Sequence, residues 1–199
     1  YRIQKFDSSG AYVSKWGGYG TGDGQFRLPF SLAIDSGNQV YVLDNTDARI
    51  QKFNSSGVYQ AQWGSAGGGP GQFTSPERIT LDAADRVYVG DTGNRRVQVF
   101  NSSGQYLYLW GSYGSGDGQF NSPRDVAVSA SGSIYVVDAL NYRIQRFSRN
   151  VSTVSTSMSR NGSPIGFYVE TSAQDAESDP LMWSVASAAS HGTVDIAPG

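Results

Sequence analysis

The chain repeats itself every 47 residues across its first 149 residues, without insertion or deletion. Tryptophan, proline and aspartate recur at this spacing, and so does the triplet Gly-Gln-Phe. A fixed period of this length indicates a repeat architecture, in which each unit buries its apolar faces against its neighbours. The clearest recurring positions are Trp16, Trp63 and Trp110; Pro29, Pro76 and Pro123; and Asp44, Asp91 and Asp138.

Within one unit, short apolar runs alternate with turn residues. In the unit that starts at Gly71, the runs cover residues 79–81, 87–89, 97–100 and 106–110. They are rich in Val, Ile and aromatic residues and are bounded by Gly, Asn, Asp and Ser, which is typical of strands and turns. We therefore predict four antiparallel strands per unit, which is the composition of a β-propeller blade. The recurring Trp and Phe residues are predicted to form the core between blades.

The repeated unit also resembles a known family. Residues 71–100 read GQFTSPERITLDAADRVYVGDTGNRRVQVF and residues 118–147 read GQFNSPRDVAVSASGSIYVVDALNYRIQRF, and both are similar to NHL repeats. The resemblance implies an all-β fold, a β-propeller of four-stranded antiparallel blades. NHL domains usually close as six-bladed rings.

Residues 1–149 predict an incomplete ring. The first residues align with the third strand of a unit, so the repeats provide 13 strands, a little over three blades. Three interpretations remain open at this point. The chain is a fragment of a longer protein, which we favour; two chains close one ring as a homodimer; or the blades form an open arc with bare sheet edges.

The composition changes after residue 149. Residues 1–149 carry 14 Lys and Arg against 12 Asp and Glu, whereas residues 150–199 carry one Arg and five acidic residues. We predict a linker at 150–160 and, at 161–199, the start of a second module. Asp179-Pro180-Leu181 and the later His191-Gly192-Thr193 resemble the first half of bacterial Ig-like or cadherin-like β-sandwich modules. That resemblance implies a bacterial protein that is secreted or on the cell surface.

Few residues of the chain suit a metal or a phosphate group. Three acidic residues spaced by two, Asp175, Glu177 and Asp179, predict a Ca²⁺ site in the second module, and no other cofactor is expected. The only histidine is His191 and cysteine is absent, so the repeats alone cannot form a His- or Cys-ligated zinc centre. The glycine-rich segments 17–24 and 111–118 precede strands rather than helices, which predicts inter-blade loops instead of phosphate cradles.

Positions that differ between units are better candidates for binding than positions that recur. In a propeller, the loops that enter the first strand and those between the second and third strands lie on one face, around the channel. Tyr19 and Tyr113 extend from the predicted inter-blade loops. Charged and aromatic side chains around a concave mouth suit a protein, peptide or glycan. The predicted ligand-binding residues are Arg27, Phe30, Asp47, Glu77, Arg78, Arg95, Arg124, Asp125 and Tyr142.

These observations favour a non-catalytic recognition scaffold that binds a protein, peptide or glycan. One alternative is a propeller lyase or hydrolase whose catalytic residues lie in blades outside this chain. Another is an NHL propeller that binds single-stranded RNA. Nucleic acid is the less favoured partner because the repeats are nearly neutral, whereas a polyanion partner requires a clustered basic surface. The recurring Asp and Arg residues are predicted to tie loops to neighbouring blades.

Overall fold

The structure is a computed structural model that describes residues 1–148 and the backbone of two short strands farther along the chain. Two units are distinguished, Tyr1–Arg149 and Asn150–Gly199. In the second unit, β16 (Trp183–Val185) pairs antiparallel with β17 (Ile196–Pro198). The predicted linker, the predicted Ig-like module and His191 lie outside the described residues, as do the proposed Ca²⁺ ligands Asp175, Glu177 and Asp179, so these remain predictions.

The first unit contains four antiparallel sheets in chain order, together with one short parallel pair of strands. Sheet 1 contains β1 (Arg2–Phe6) and β2 (Tyr12–Gly17). Sheet 2 contains β3 (Pro29–Ile34), β4 (Val40–Asp44), β5 (Arg49–Phe53) and β6 (Tyr59–Trp63). Two-residue strands β7 (Ser65–Ala66) and β8 (Gln72–Phe73) then pair in parallel. Sheet 3 contains β9 (Arg78–Leu81), β10 (Val87–Asp91), β11 (Arg96–Phe100) and β12 (Tyr106–Trp110). Sheet 4 contains β13 (Pro123–Val128), β14 (Ser133–Asp138) and β15 (Arg143–Ser148).

This topology confirms the predicted fold class. Each strand pairs with its neighbour in sequence, and the four sheets have two, four, four and three strands. The first strand of sheet 3 contacts the first strands of sheets 2 and 4, as neighbouring innermost strands of a propeller do. A 3₁₀ turn precedes the third strand in sheets 3 and 4, at Thr92–Asn94 and Ala139–Asn141.

The apolar core lies between successive sheets rather than within any one of them. Every residue of β4 and β10 is buried, because each of these second strands is covered on both faces. This explains why their sequences, VYVLD and VYVGD, are continuously apolar up to the final aspartate instead of alternating. One cluster joins sheets 1 and 2, a second joins sheets 2 and 3, and a third joins sheets 3 and 4.

Recurring aromatic residues form the same arrangement at each interface between sheets. The ring centres of Trp63 and Phe100 lie 6.3 Å apart, and Phe73 and Phe100 lie 5.7 Å apart. The equivalent pairs at the preceding interface are Trp16–Phe53 and Phe26–Phe53, and Trp110–Phe147 and Phe120–Phe147 follow. The predicted structural role of these aromatic residues is therefore confirmed.

The glycine of each Asn-Ser-Ser-Gly turn makes room for the tryptophan of the preceding sheet. Gly104 has φ +85°, and a Cβ atom there would lie 2.5 Å from Cδ2 of Trp63. Gly57 has the same relation to Trp16. Both the positive φ and the close ring approach exclude a side chain at this position. The Asn-Ser-Ser-Gly turns thus contribute to the contact between sheets, in addition to reversing the chain.

Apolar residues are less covered at the two ends of the row of sheets. Ile144 is 67% exposed, whereas its equivalents Ile50 and Val97 are fully buried. On the opposite end, Leu32 is 47% exposed and its equivalent Ile79 is 1% exposed. Equivalent positions in different sheets therefore have very different environments. Among the described residues, no helix is long and apolar enough to cross a membrane.

This difference in burial predicts unequal costs for two truncations of equal size. Ile79→Ala removes the same number of carbon atoms as Leu32→Ala, but only Ile79 lies in a closed core. We expect Ile79→Ala to lower the free energy of unfolding by about 2–5 kcal/mol and Leu32→Ala by roughly 1 kcal/mol or less. Denaturant unfolding of both variants measures the difference. Equal losses would mean that the interface between sheets 2 and 3 is not the closed core described above.

Candidate binding face

Three glycine-rich loops connect the sheets, at residues 18–26, 65–73 and 112–120, and we call them the junction loops. Each closes on itself: the N–H of Phe26 donates to Gly18 O over 2.8 Å, and the N–H of Phe120 donates to Ser112 O over 2.7 Å. A glutamine side chain seals the tip, where Gln72 Oε1 accepts from the N–H of Gly69 over 2.9 Å. The predicted identity of these segments as inter-blade loops is confirmed.

Recurring polar side chains of the following sheet hold each junction loop in place. In sheet 3, Arg96 Nη1 donates to Gly68 O, and its Nη2 donates to Gly69 O and Gln72 O, over 2.8–2.9 Å. Gln98 donates to the same Gln72 carbonyl over 2.6 Å and accepts from the N–H of Gly71 over 2.9 Å. We call Asp91, Arg96 and Gln98, with their equivalents in sheets 2 and 4, the latch.

A buried aspartate organises each latch. Asp91 Oδ2 accepts from Arg96 Nε over 2.8 Å, from Asn94 over 2.9 Å and from Gln98 over 3.0 Å. Its Oδ1 accepts from the N–H of Thr74, the residue that follows the loop, over 2.8 Å. Asp91 therefore connects the Arg96 and Gln98 side chains to the backbone just after the junction loop. Its side chain is fully buried. The predicted tie is made by the aspartate and the arginine together.

Sheet 4 repeats the latch with Asp138, Arg143 and Gln145. Burial alone would raise the pKa of the Asp138 carboxyl. Hydrogen bonds from Asn141, from the N–H groups of Asn121 and Ser122, and from Arg143 outweigh it, so this pKa lies below its ordinary value. Gln145 again binds the Gln119 carbonyl, over 2.7 Å.

The latch of sheet 2 differs because a second carboxylate replaces an amide. Asp47 occupies the position of Asn94 and Asn141. It forms an ion pair with Arg27, and its Oδ2 lies 3.4 Å from Arg49 Nη2. Arg49 still donates to Gln25 O over 2.9 Å, whereas Asp44 accepts hydrogen bonds from the backbone N–H groups of residues 27, 28 and 47. Arg27 and Asp47, predicted as ligand contacts, therefore bind each other.

The junction loops share one face of the sheets with the segments between the second and third strands, residues 45–48, 92–95 and 139–142. Asn94 Nδ2 joins the two by donating to Gly67 O over 2.9 Å, and Asn141 donates to Gly114 O over 2.8 Å. We call this side the loop face. The hairpin turns lie on the other side, the turn face, where Ser36 donates to Asp85 over 2.6 Å and lowers the pKa of that carboxyl.

Four predicted ligand-binding residues pair across the innermost strands of sheets 3 and 4. Arg78 Nε lies 2.9 Å from Asp125 Oδ1, and Arg124 Nε lies 3.9 Å from Glu77 Oε2. The Arg78 and Asp125 side chains are both about half exposed. Phe30 occupies the position of Glu77 and Arg124 in sheet 2 and is 52% exposed. The structure thus brings together four of the predicted residues, and we call Glu77, Arg78, Arg124 and Asp125 the charged ladder.

The remaining two predicted residues share a position, but not an environment. Arg95 and Tyr142 are separated by one repeat, and each has a left-handed backbone, with φ values of 57° and 53°. The guanidinium carbon of Arg95 lies 4.8 Å from the ring centre of Tyr113. Tyr142 is 92% exposed. The ligand role of all nine residues remains a prediction.

Comparison with known families agrees with this geometry. Residues 26–53 match the NHL repeat, and residues 82–158 match DUF5128, a family described as a 6-bladed beta-propeller. The fold is a β-propeller. In the first 148 residues, no three His, Cys, Asp or Glu side chains are grouped so that they could hold a metal ion.

Solved propellers resemble the chain in fold. A streptogramin B lyase superimposes with a TM-score of 0.54 at 12% identity, covering 76% of this chain and 49% of the lyase. A protein of unknown function from Bacteroides caccae gives 0.52 at 13% identity, covering 69% and 48%. An inactive virginiamycin B lyase from Staphylococcus aureus, solved with quinupristin, gives 0.50 at 14% identity, covering 76% and 50%. The chain spans about half the length of these propellers. No curated protein sequence matches it.

The latch predicts a strong dependence of stability on Asp91. Asp91→Ala would leave the buried Arg96 guanidinium without its carboxylate, and we expect a loss of roughly 3–5 kcal/mol in unfolding free energy. Asp117→Ala, at an exposed loop position, is the control and should change stability by about 0.5 kcal/mol or less. Denaturant unfolding compares the two variants, and similar small effects would show that the latch does not stabilise the blade.

The lowered pKa of Asp138 predicts a pH dependence. Its ionised form is favoured in the folded state, so its stabilisation is complete above the ordinary aspartate pKa of about 3.9. That stabilisation is lost as the pH falls through the lower folded-state pKa. The stability difference between the wild type and Asp138→Asn should therefore shrink as the pH is lowered from about 5 to 2. Thermal unfolding across this range tests it, and a constant difference would contradict the assignment.

Proposed function

We propose that the chain is a non-catalytic recognition scaffold whose loop face binds a protein, peptide or glycan. One observation carries this proposal. The recurring Asp, Arg and Gln residues of sheets 2 and 3 are buried in the latches, whereas several residues that differ between units are exposed on the loop face. A fold that repeats its structural residues and varies its exposed ones has separated stability from recognition.

The charged ladder supports a binding role for this face. Arg78, Asp125 and Arg124 are about half exposed, so their ion pairs contribute little to stability in water. Such pairs can exchange partners with a ligand at low cost. A ligand with its own charged or hydrogen-bonding groups would meet donors and acceptors that are already oriented by neighbouring strands.

The lack of histidine in residues 1–148 favours a scaffold over an enzyme. Residues 1–148 contain neither histidine nor cysteine, and histidine is the most common general acid or base near neutral pH. The similarity to streptogramin B lyase concerns the fold, at 12% identity. The tail's resemblance to modules of secreted proteins supports an extracellular or cell-surface location in a bacterium.

The test is binding to an array of peptides and defined oligosaccharides. We expect the double variant Arg78→Gln, Arg124→Gln to bind its best ligand at least about tenfold more weakly than the wild type, because two charge-assisted contacts are lost. Its unfolding free energy should change by roughly 1 kcal/mol or less. Lys5→Gln removes a charge from the turn face, where Lys5 contacts the carbonyl of Ser55, and should leave binding unchanged.

Three outcomes would overturn the proposal. Equal loss of binding in Lys5→Gln would remove the loop face from consideration, and binding to nothing on the array would remove the recognition role. Turnover of a streptogramin B antibiotic by the chain would support the lyase alternative instead.

A further inference from the structure

One position of the loop face varies from unit to unit, with three residue types among its four copies. Residues 1, 48, 95 and 142 occupy it, as Tyr, Ala, Arg and Tyr. The last three have φ values between 50° and 57°, a left-handed conformation that favours Gly or Asn. Arg95 and Tyr142 therefore carry large side chains at a backbone conformation that favours Gly or Asn. We take this as an indication that the side chains themselves serve a function.

A second recurring position, in the junction loop, packs on the first. Residues 19, 66 and 113 occupy it. Tyr1 packs edge-on against Tyr19, with ring centres 4.9 Å apart, and Arg95 stacks on Tyr113. Between these two interfaces, the same pair of positions is Ala48 and Ala66. The chain thus carries two substituted copies of this site and one copy without functional side chains.

The charge of Arg95 is not neutralised by any carboxylate of the described residues. Its Nη1 donates to Gly93 O over 3.2 Å, and its Nε is buried without a hydrogen-bond acceptor in residues 1–148. By contrast, Arg78, Arg86, Arg96 and Arg124 all have carboxylate partners. Arg95 is therefore a cation held in place by a tyrosine ring and a fixed backbone, with capacity to bind an anion.

The junction-loop tyrosines of the two substituted copies, Tyr113 beside Arg95 and Tyr19 beside Tyr1, present their rings to solvent. Tyr19 and Tyr113 are 66% and 68% exposed. Tyrosine gives a large, rigid contact area that is apolar on its ring and polar at its hydroxyl, at low entropic cost. A ligand that matches this site has flat apolar faces, many hydroxyl groups and a carboxylate.

We propose that Arg95 and Tyr113, with Tyr1–Tyr19 as the equivalent aromatic pair, bind an acidic glycan built from uronic acid units. The sugar carboxylate accepts hydrogen bonds from the Arg95 guanidinium, and the C–H face of the pyranose ring packs on tyrosine. This inference rests on the proposed function and names the ligand class of the same loop face. The near-neutral repeats favour a ligand with spaced carboxylates over a nucleic acid.

The test uses an oligogalacturonate and its fully methyl-esterified form, with affinity measured by titration calorimetry on the full chain. The wild type should bind the acid form at least about tenfold more tightly than the ester, because the ester cannot form the ion pair with Arg95. The double variant Arg95→Ala, Tyr113→Ala should lose binding of the acid form by a similar or larger factor. It recreates the Ala48 and Ala66 pair already present, so it should fold, which circular dichroism verifies.

Arg146→Gln is the matched control, because it also removes one arginine charge but on the side of the turn face, where Arg146 Nη2 donates to Ser133 Oγ over 3.2 Å. It should bind the acid form within about twofold of the wild type, since an exposed charge far from Tyr113 contributes little to binding there. Equal loss in both variants would reduce the effect to general electrostatics and overturn the proposal. So would equal affinity for the acid and ester forms, or tighter binding of a single-stranded RNA through the same residues.

The failure of this inference can be told apart from failure of the proposed function. If array ligands bind through the charged ladder while oligogalacturonate does not bind, only the uronic acid assignment is wrong. If neither the array nor oligogalacturonate yields a ligand, the loop face has no recognition role and both proposals are wrong.

Discussion

The structure depends on the contact between one arginine in each of sheets 2, 3 and 4 and the backbone carbonyls of the loop before it. A glycine-rich loop has almost no side chains to bury, so apolar packing cannot fix its shape. Arg96 fixes the loop by donating hydrogen bonds to three of its carbonyl groups, while Asp91 orients the guanidinium. With the loop fixed, Phe73 reaches the core between sheets, and β9 begins at a defined place.

Much of this fold could be predicted from the sequence because the period imposes the same environment on equivalent residues. The aromatic core follows from residues such as Trp63 and Phe100, whose large rings favour burial wherever they recur. Gln98 was missed, although it recurs in every unit. Its type gives no hint that it would be fully buried, since glutamine usually lies at the surface.

The candidate site was less predictable because it depends on distances between units. Sequence places Arg78 and Asp125 on equivalent strands, but their 2.9 Å contact requires the packing of neighbouring sheets. For Asp47, the sequence predicted a ligand contact that the structure replaces with an internal ion pair. Its difference from Asn94 suggested that contact, and its partner in the ion pair is Arg27. Tyr1 was missed as a candidate, although the period places it at the same position as Ala48 and Arg95.

The exposed position Ala66 has a consequence for engineering. Its equivalents Tyr19 and Tyr113 show that the junction loop accepts a large side chain there, whereas Ala48 is buried in the core between sheets 2 and 3. A library that varies only Ala66 would sample new side chains at an exposed position while leaving the latch and the aromatic core unchanged. The middle junction loop can thereby gain new contacts between two loops that already carry tyrosine.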